Sequence, residues 1–169
     1  MLIGILSDSH GHASRTAEAV RILLEAGAEI LLHLGDIETT AVLDELVGHN
    51  AHIVFGNCDW DHRSLATYAE HVGIAVEHPR GHLVIADKTV VFTHGDRDEI
   101  MSQTLNEGVH YLLHGHTHQV RDEKVGTTRI INPGALFRAS QYTVAVLDPE
   151  SDDLRFLEIP HHSPVYGSP

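Results

Sequence analysis

The sequence predicts an α/β protein with two sheets packed face to face and helices on the outside. In the first part of the chain, short apolar runs alternate with helical patterns, as in parallel strand-helix units. After Gly73 the pattern changes to several short strands with tight connections, which we expect to be mostly antiparallel. The 169 residues are 42% hydrophobic and 21% charged, which is typical of one globular domain spanning residues 1–169.

The first half contains three buried strands, and each is followed by a helical segment. Gly27 supplies a stop signal for the first helix, whose apolar residues recur on one face. The predicted strands are 2–6, 29–33 and 51–55, and the predicted helices are 13–26, 39–47 and 65–71.

The second half is richer in strands. The segment Ala86-Asp87-Lys88-Thr89 predicts a hairpin turn, and Asp98 is expected to cap a helix over 98–107 that Gly108 ends. The predicted strands are 74–76, 83–86, 89–93, 109–113, 127–131, 142–147 and 154–159. Residues 161–169 are expected to form a loose tail.

The composition excludes several function classes. A formal net charge of −13 disfavours binding to long nucleic acid or to an anionic membrane, because both require a basic surface. The single cysteine, Cys58, excludes an internal disulfide and favours a reducing compartment. With no basic leader and no long apolar segment visible, we expect a cytoplasmic protein.

Polar side chains follow five predicted strands at the point where each strand ends. Asp8 and Asp36 are 28 residues apart, about one strand-helix-strand unit, so both carboxylates should emerge at the same sheet edge. His116 and His118 are two residues apart, so an extended chain aims both imidazoles the same way. The full candidate set is Asp8, His10, Asp36, Asn57, His94, His116 and His118.

These residue types are suited to a metal centre. Imidazole, carboxylate and amide ligands without thiolate favour manganese, iron, zinc or nickel over copper(I) or an iron-sulfur cluster. Seven ligands are too many for one tetrahedral zinc, but they suit two metals that share one carboxylate. The plainer interpretation is a set of polar loops in a chain with 16 histidines, and for any single block that interpretation stays open.

The blocks Asp8-x-His10, Gly35-Asp36, Gly56-Asn57-x-Asp59, His94-Gly95 and Gly115-His116-Thr117-His118 occur in one order along the chain. Together they resemble the calcineurin-like metallophosphoesterases. The short length, the Gly-Asn-Cys-Asp block and the Asn-Pro-Gly block at 132–134 are most similar to the small phosphodiesterases of the YfcE type.

The resemblance implies a four-layer α/β/β/α sandwich with two mixed sheets flanked by helices. It implies two divalent transition-metal ions, with manganese the first choice and iron, zinc or nickel the alternatives, and a hydroxide between them that attacks phosphorus. Asp36, Asn57 and His94 are then catalytic through this hydroxide and the phosphate. The implied ligands of the first metal are Asp8, His10, Asp36 and His118, and those of the second are Asp36, Asn57, His94 and His116.

One position departs from the wider family, in which many members have histidine directly after the asparagine of the Gly-Asn block. That histidine is thought to assist the leaving group, and here the position is Cys58. A thiol is a poor substitute for imidazole as a proton donor near neutral pH. We therefore expect a preference for esters whose leaving oxygen needs little help, such as aryl phosphodiesters.

Other residues near these blocks receive weaker predictions. Asp59 and Asp96 are expected to orient ligand imidazoles, and Asn132 either does the same or shapes its turn. His114 is expected to be structural, and His12 to face solvent or substrate. Most of the other histidines, such as His33 and His78, are assigned to the surface or to packing. Arg97, Arg121 and Arg138 are candidate phosphate contacts on generic grounds.

Three functions compete at this point. The leading one is a dinuclear-metal phosphoesterase that acts on small phosphodiesters more readily than on monoesters. A non-catalytic binding scaffold on the same fold, like the related retromer subunit, is an alternative, but it would not need seven ligand residues. A nuclease for long nucleic acid is disfavoured by the acidic charge. The sequence leaves the oligomeric state open, so a homo-oligomer is an alternative to a monomer.

Overall fold

The computed structural model describes residues 1–160, so the predicted tail lies outside the described residues. The strands are β1 (Leu2–Leu6), β2 (Ala28–His33), β3 (Ala51–Ile53), β4 (Ala75–Val76), β5 (Arg80–Ile85), β6 (Lys88–Thr93), β7 (Tyr111–Leu113), β8 (Arg121–Val125), β9 (Thr128–Asn132), β10 (Tyr142–Asp148) and β11 (Asp153–Ile159). The helices are α1 (Ala13–Glu25), α2 (Thr40–Asp44), α3 (His62–His71) and α4 (Asp98–Asn106).

The strands form two mixed sheets. The first has the order β11-β10-β1-β2-β3-β4, and the second has the order β5-β6-β7-β9-β8. Strands β1, β2, β3 and β4 run parallel. On the other side of β1, β10 pairs antiparallel with β1, and β11 pairs antiparallel with β10. In the second sheet β6, β7 and β9 are parallel neighbours, and β5 and β8 pair antiparallel at the two edges.

Three apolar clusters separate the layers and confirm the four-layer sandwich. Ile3 and Ile5 of β1 pack against residues such as Phe92 of the second sheet, because alternate side chains of a strand face opposite ways. Another cluster packs α1 and α3 on the first sheet, and the third packs Met101 and Leu105 of α4 on the outer face of the second sheet. No helix among residues 1–160 is long and apolar enough to cross a membrane.

The second half differs from the prediction in three respects. Two of its sheet's four pairings are parallel, where mostly antiparallel strands were expected, because α4 carries the chain back before β7 begins. Strand β8 was not predicted at all, since four of its five residues are charged and it lies exposed at an edge. Arg97, without a side-chain cap bond, occupies the N-cap of α4, so the prediction that Asp98 caps it is wrong.

Several predicted bounds are off by a few residues, although the elements themselves exist. Helix α2 ends at Asp44, followed by turns, and β3 ends at Ile53, so both are shorter than predicted. The predicted hairpin turn is present between β5 and β6. Ala86 and Asp87 both have positive φ, at 50° and 59°, as a two-residue turn of this twist requires.

Candidate metal centre

All seven candidate side chains follow the carboxyl ends of parallel strands. Asp8 and His10 follow β1, Asp36 follows β2 and Asn57 follows β3 in the first sheet. His94 follows β6, and His116 and His118 follow β7 in the second sheet. The packing of the two sheets therefore brings residues that are more than 100 positions apart in sequence to one edge of the molecule.

The first group is compact. Asp8, His10, Asp36 and His118 each present one ligand atom, and these four atoms all lie within 4.8 Å of one another. The Nε2 atom of His10 is 3.4 Å from Asp36 Oδ2, and the Nε2 atom of His118 is 3.3 Å from Asp8 Oδ1. The two Nε2 atoms are 3.4 Å apart.

The second group adjoins the first through Asp36. The Nε2 atom of His94 is 3.5 Å from Asp36 Oδ2 and 3.1 Å from Asn57 Oδ1. The ring of His116 lies edge-on to that of His94, with centroids 5.2 Å apart. Because Asp36 Oδ2 faces both His10 and His94, this carboxylate occupies the shared position between the two groups.

The backbone at this edge is held in a costly conformation. Positive φ angles for non-glycine residues are uncommon, and such strain concentrates at functional sites because the surrounding structure must enforce it. Five of the seven candidate residues have them, as does Glu38 at 66°. The five angles are 55° at Asp8, 43° at His10, 56° at Asp36, 66° at His116 and 57° at His118.

Two glycines permit this convergence. A Cβ atom on Gly56 would lie 2.1 Å from Asp36 Oδ1 and 2.7 Å from His94 Nε2. A Cβ atom on Gly115 would lie 1.9 Å from Ser7 Oγ and 2.7 Å from Asp8 Oδ2. A side chain at either position would therefore push apart the groups that the two sheets bring together.

Hydrogen bonds fix the outer nitrogen of two imidazoles. The Nδ1 atom of His10 is 2.7 Å from Glu38 Oε1, and the Nδ1 atom of His94 is 2.7 Å from the Leu34 carbonyl oxygen. In both rings this leaves the Nε2 atom directed at the carboxylate cluster, which is the arrangement that metal-binding histidines commonly show.

Charge and burial also suit a cation. Asp8 and Asp36 are 0% and 2% exposed, and Asp8 Oδ1 has no hydrogen-bond partner among the described residues. A buried carboxylate oxygen without a donor is costly, and a bound cation would remove that cost. Burial raises the pKa of Asp36, but the hydrogen bond and charge of His94, together with the Cys58 N–H, hold it well below its usual range. The residues present therefore fit divalent metal ions.

Asp59 has a different role from the predicted one. Its carboxylate accepts hydrogen bonds from the backbone N–H groups of Asp36, Ile37, Glu38 and Gly56, at 2.6–2.9 Å. It therefore fixes the loop that carries Asp36 instead of orienting an imidazole. The Asp96 carboxylate lies 4.0 Å from the Arg97 side chain, and its predicted role beside an imidazole stays a prediction.

The other residues predicted near the site have different positions, some supporting the histidine loop and one lining the cavity. Asn132 donates to the Gly115 carbonyl and accepts the Gly134 N–H, so it both holds the histidine loop and shapes its own turn. His114 is buried, with its Nδ1 atom 3.0 Å from the Gly115 carbonyl oxygen, which agrees with a structural role. Arg121 is paired with Glu123, 2.5 Å away, whereas Arg138 lines the cavity described next.

A cavity of about 480 Å³ opens over the cluster. Sequence reasoning missed two of its residues, Glu38 and Phe137; the Phe137 ring lies 5.2 Å from that of His10. Glu38 stands two residues after Asp36, which is a weak signal, and Phe137 has no motif. The lining residues are His10, Asp36, Glu38, Asn57, Cys58, His116, His118, Phe137 and Arg138.

Cys58 lines this cavity as a protonated thiol. Burial and the nearby charge of Asp36 raise its pKa to about 11. The thiolate form is therefore scarce at neutral pH, so Cys58 is not suited to act as a nucleophile.

Comparison with known proteins identifies the family. Residues 1–152 match the calcineurin-like phosphoesterase superfamily domain. A phosphodiesterase of Methanocaldococcus jannaschii is 28% identical over 168 aligned residues, covering 92% of this chain and 97% of that protein.

Solved structures agree with this assignment. A structure described as a novel archaeal phosphodiesterase superimposes with a TM-score of 0.85 at 25% identity, covering 94% of this chain and 99% of the other. The YfcE phosphoesterase of E. coli shares the fold, with a TM-score of 0.70 at 20% identity and coverage of 95% and 100%. The chain belongs to the calcineurin-like phosphoesterase superfamily.

Proposed function

We propose that this protein is a hydrolase of small phosphodiesters that works with two divalent transition-metal ions, of which manganese is the first candidate. The observation that carries the proposal is the convergence of Asp8, His10, Asp36 and His118 on one point. His94 adjoins that group through the Asp36 carboxylate, and Asn57 Oδ1 lies 3.1 Å from His94 Nε2. The family membership and the phosphodiesterase of Methanocaldococcus jannaschii support it.

In this proposal Asp8, His10, Asp36 and His118 hold one ion, and Asp36, Asn57, His94 and His116 hold the other. When bound, two such ions lower the pKa of water and neutralise the charge of the phosphoryl oxygens. Only two of these ligands are carboxylates, so the loaded site is positive inside an acidic protein and attracts the anionic substrate.

The chain's own residues position these groups before substrate arrives. Glu38 and the Leu34 carbonyl orient the rings of His10 and His94. The Asp59 carboxylate fixes the Asp36 loop through four backbone N–H groups. Arg138, on the cavity wall, is placed to contact the non-bridging oxygens of a bound phosphate. Because these supports are preformed, little reorganisation is needed when the phosphate binds.

The test begins with metal-free protein reconstituted separately with manganese, iron, zinc or nickel. We expect two ions per chain by equilibrium dialysis, and faster hydrolysis of bis(4-nitrophenyl) phosphate than of 4-nitrophenyl phosphate or cyclic nucleotides. Asp36→Asn should lower kcat by more than about 100-fold, since loss of merely supporting groups already costs 10–100-fold. Asp87→Asn, in the exposed turn between β5 and β6 at the opposite end of β6 from His94, is the matched control and should keep full activity, because asparagine tolerates the same backbone conformation.

Two outcomes would reject the proposal. One is protein that binds at most one ion per chain at millimolar metal. The other is protein that binds two ions but hydrolyses none of these esters, which would favour the scaffold alternative.

A further inference from the structure

A second cavity adjoins the candidate metal centre and is not used by the proposed reaction. It has a volume of about 250 Å³ and shares Asn57 with the metal-site cavity. Asn57 thus stands between the two spaces, so a ligand whose phosphate lies over the metal cluster can extend one arm past this side chain.

Aromatic rings form the wall of the second cavity. The rings of Phe55 and His62 are stacked, with centroids 5.3 Å apart and planes 15° from parallel. His78 packs against both, at 5.6 Å from Phe55 and 5.1 Å from His62, and its Nδ1 atom accepts the Phe55 N–H. These contacts hold the three rings in place, so the wall is preformed.

Trp60 lies at the mouth of this cavity and is 91% exposed. It is the single tryptophan of the chain. Tryptophan is usually well buried because its side chain carries 150–250 Å² of surface, so an almost fully exposed one beside an aromatic cavity is a candidate contact for a ligand.

The backbone that carries Trp60 is anchored on both sides. The Trp60 N–H donates to the Cys58 carbonyl, and the preceding Asp59 is held by its four backbone hydrogen bonds. The following Asp61 caps α3 by accepting the Ser64 N–H. Trp60 is therefore presented from a fixed turn, which reduces the entropy lost when a ligand packs on its ring.

We propose that this cavity binds one ester arm of the phosphodiester substrate, and that this arm is a flat aromatic group, aryl or nucleobase, lying against Trp60. This inference rests on the proposed function. A cavity of about 150 Å³ holds benzene, so 250 Å³ admits a substituted ring or a base. Arg97, whose side chain is half exposed and lies 4.0 Å from Asp96, adds a cationic group that can pack on the face of a ring.

The first test uses the fluorescence of Trp60 in the metal-loaded protein. This signal reports contact between the ligand and the Trp60 ring and does not require hydrolysis. Phenylphosphonate and adenosine 5′-monophosphate carry the aryl and nucleobase groups, and methylphosphonate carries neither. We expect saturable quenching by one or both aromatic ligands and none by methylphosphonate. Equal responses to phenylphosphonate and methylphosphonate would overturn the inference, because the signal would then follow the phosphonate group alone.

The second test uses substitutions. Aromatic stacking on a base or ring is worth about 5- to 150-fold in affinity, so Trp60→Ala should raise KM for bis(4-nitrophenyl) phosphate about 10-fold with a smaller change in kcat. Trp60→Phe, which keeps a ring, should restore most of the loss. An unchanged KM in Trp60→Ala would overturn the inference while leaving the proposed function intact.

Failure of the proposed function has a different signature. A protein that hydrolyses no diester would reject the hydrolase function, whereas quenching by phenylphosphonate tests only the binding site at Trp60. The two proposals are therefore judged by separate measurements. Emission that ignores every ligand but shifts with protein concentration would overturn the inference in favour of Trp60 as a contact between two copies of this chain.

Discussion

The Nε2 atoms of His10 and His118 lie 3.4 Å apart, and each faces a buried carboxylate, Asp36 for His10 and Asp8 for His118. Two imidazole nitrogens this close share no useful hydrogen bond when both are unprotonated. A cation satisfies both nitrogens and both carboxylates at once. The metal-free protein must use protons for the same purpose.

Metal uptake should therefore release protons. Burial lowers the pKa of His94, but the hydrogen bond with Asp36 and the charges of Asp8 and Asp36 outweigh it and raise the value to about 9. The Asp8 carboxylate, 3.3 Å from His118 Nε2, also raises the pKa of His118. At pH 7 the metal-free cluster thus holds at least one proton that a bound ion must displace, so apparent metal affinity should rise with pH up to about 9.

Titration calorimetry in buffers of different ionisation enthalpy measures the number of protons released. Manganese binding should release about one proton at pH 7 and fewer at pH 9.5. The variant His94→Gln should lose much of this pH dependence. Equal affinity for manganese at pH 7 and pH 9 in the unaltered protein would contradict the prediction.

Gly56→Ala should weaken metal binding strongly while leaving the fold intact. The added Cβ atom would lie 2.1 Å from Asp36 Oδ1 and 2.7 Å from His94 Nε2, which forces both side chains out of place. Displacement of the shared carboxylate should lower metal affinity by more than about 100-fold, beyond the 10–100-fold cost of losing a supporting group. Equilibrium dialysis measures the affinity, and circular dichroism reports the fold.

Gly73→Ala is the matched control for this substitution. A Cβ atom there meets nothing within 4 Å, but the backbone φ of 84° is strained for alanine. It should therefore lower the free energy of unfolding by roughly 1 kcal/mol and leave metal affinity unchanged. Similar metal affinity in the two variants would refute the steric account of Gly56.

The motif residues could be placed from sequence because each follows an apolar run whose strand end fixes its position. Asp8 after β1 and His94 after β6 are of this kind. Two features could not be predicted: the contact of Glu38 with His10, which depends on backbone conformation, and strand β8, which consists mostly of exposed charged residues. Glu38 reaches His10 only because its backbone adopts a φ of 66°. Strand β8 has no hydrophobic alternation, and its pairing rests on backbone bonds to β9 and on contacts such as that of Arg129 with Asp122.

The role of Asp59 shows a related limit. Its place in the Gly-Asn-Cys-Asp block indicated a supporting residue, but the spacing could not say which groups it supports. The four N–H donors come from two loops, around Asp36 and around Gly56, that meet only after β2 and β3 pair. The sequence therefore indicated Asp59 as a supporting residue, but it could not indicate that its partners include backbone N–H groups of the Asp36 loop.

His33 should make the metal-free protein less stable in mild acid. It is fully buried, where the Gly35 N–H donates to Nδ1, so the neutral ring donates from Nε2 to Ser9 Oγ. Burial lowers the pKa of His33 to about 4 from 6.5. At a pH between these two pKa values, His33 is protonated in the unfolded chain but neutral in the folded chain. The free energy of unfolding therefore falls as pH drops from about 6.5 to about 4.

The expected loss over this window is about 3 kcal/mol. Urea denaturation at pH 6.5 and pH 4.5 measures most of it, in the unaltered protein and in His33→Gln, which keeps an N–H donor for Ser9. The raised pKa of His94 acts mainly between pH 6.5 and 9, so it does not mask this effect. The same pH dependence in both proteins would exclude His33 as its source.

Cys58 should make the rate strongly dependent on the leaving group. Burial and the charge of Asp36 raise the pKa of its thiol to about 11, so it is a weaker acid than a free cysteine and offers little proton transfer to a departing oxygen. A series of aryl phosphodiesters with leaving-group pKa values from about 5 to 10 should therefore show kcat falling steeply as the pKa rises. Cys58→Ala should retain the activity and the slope, because the thiol takes no part in the reaction.

Cys58→His should flatten this dependence. An imidazole at this position lines the same cavity and has an ordinary pKa near neutrality, so it can protonate poor leaving groups. Proton transfer of this kind contributes about 100-fold or more, and the gain should appear only for the least acidic phenols. Unequal gains across the series distinguish proton donation from a general effect of the new side chain on substrate binding, which would change KM for all esters alike. A flat series in the unaltered protein would show that another group already protonates the leaving oxygen.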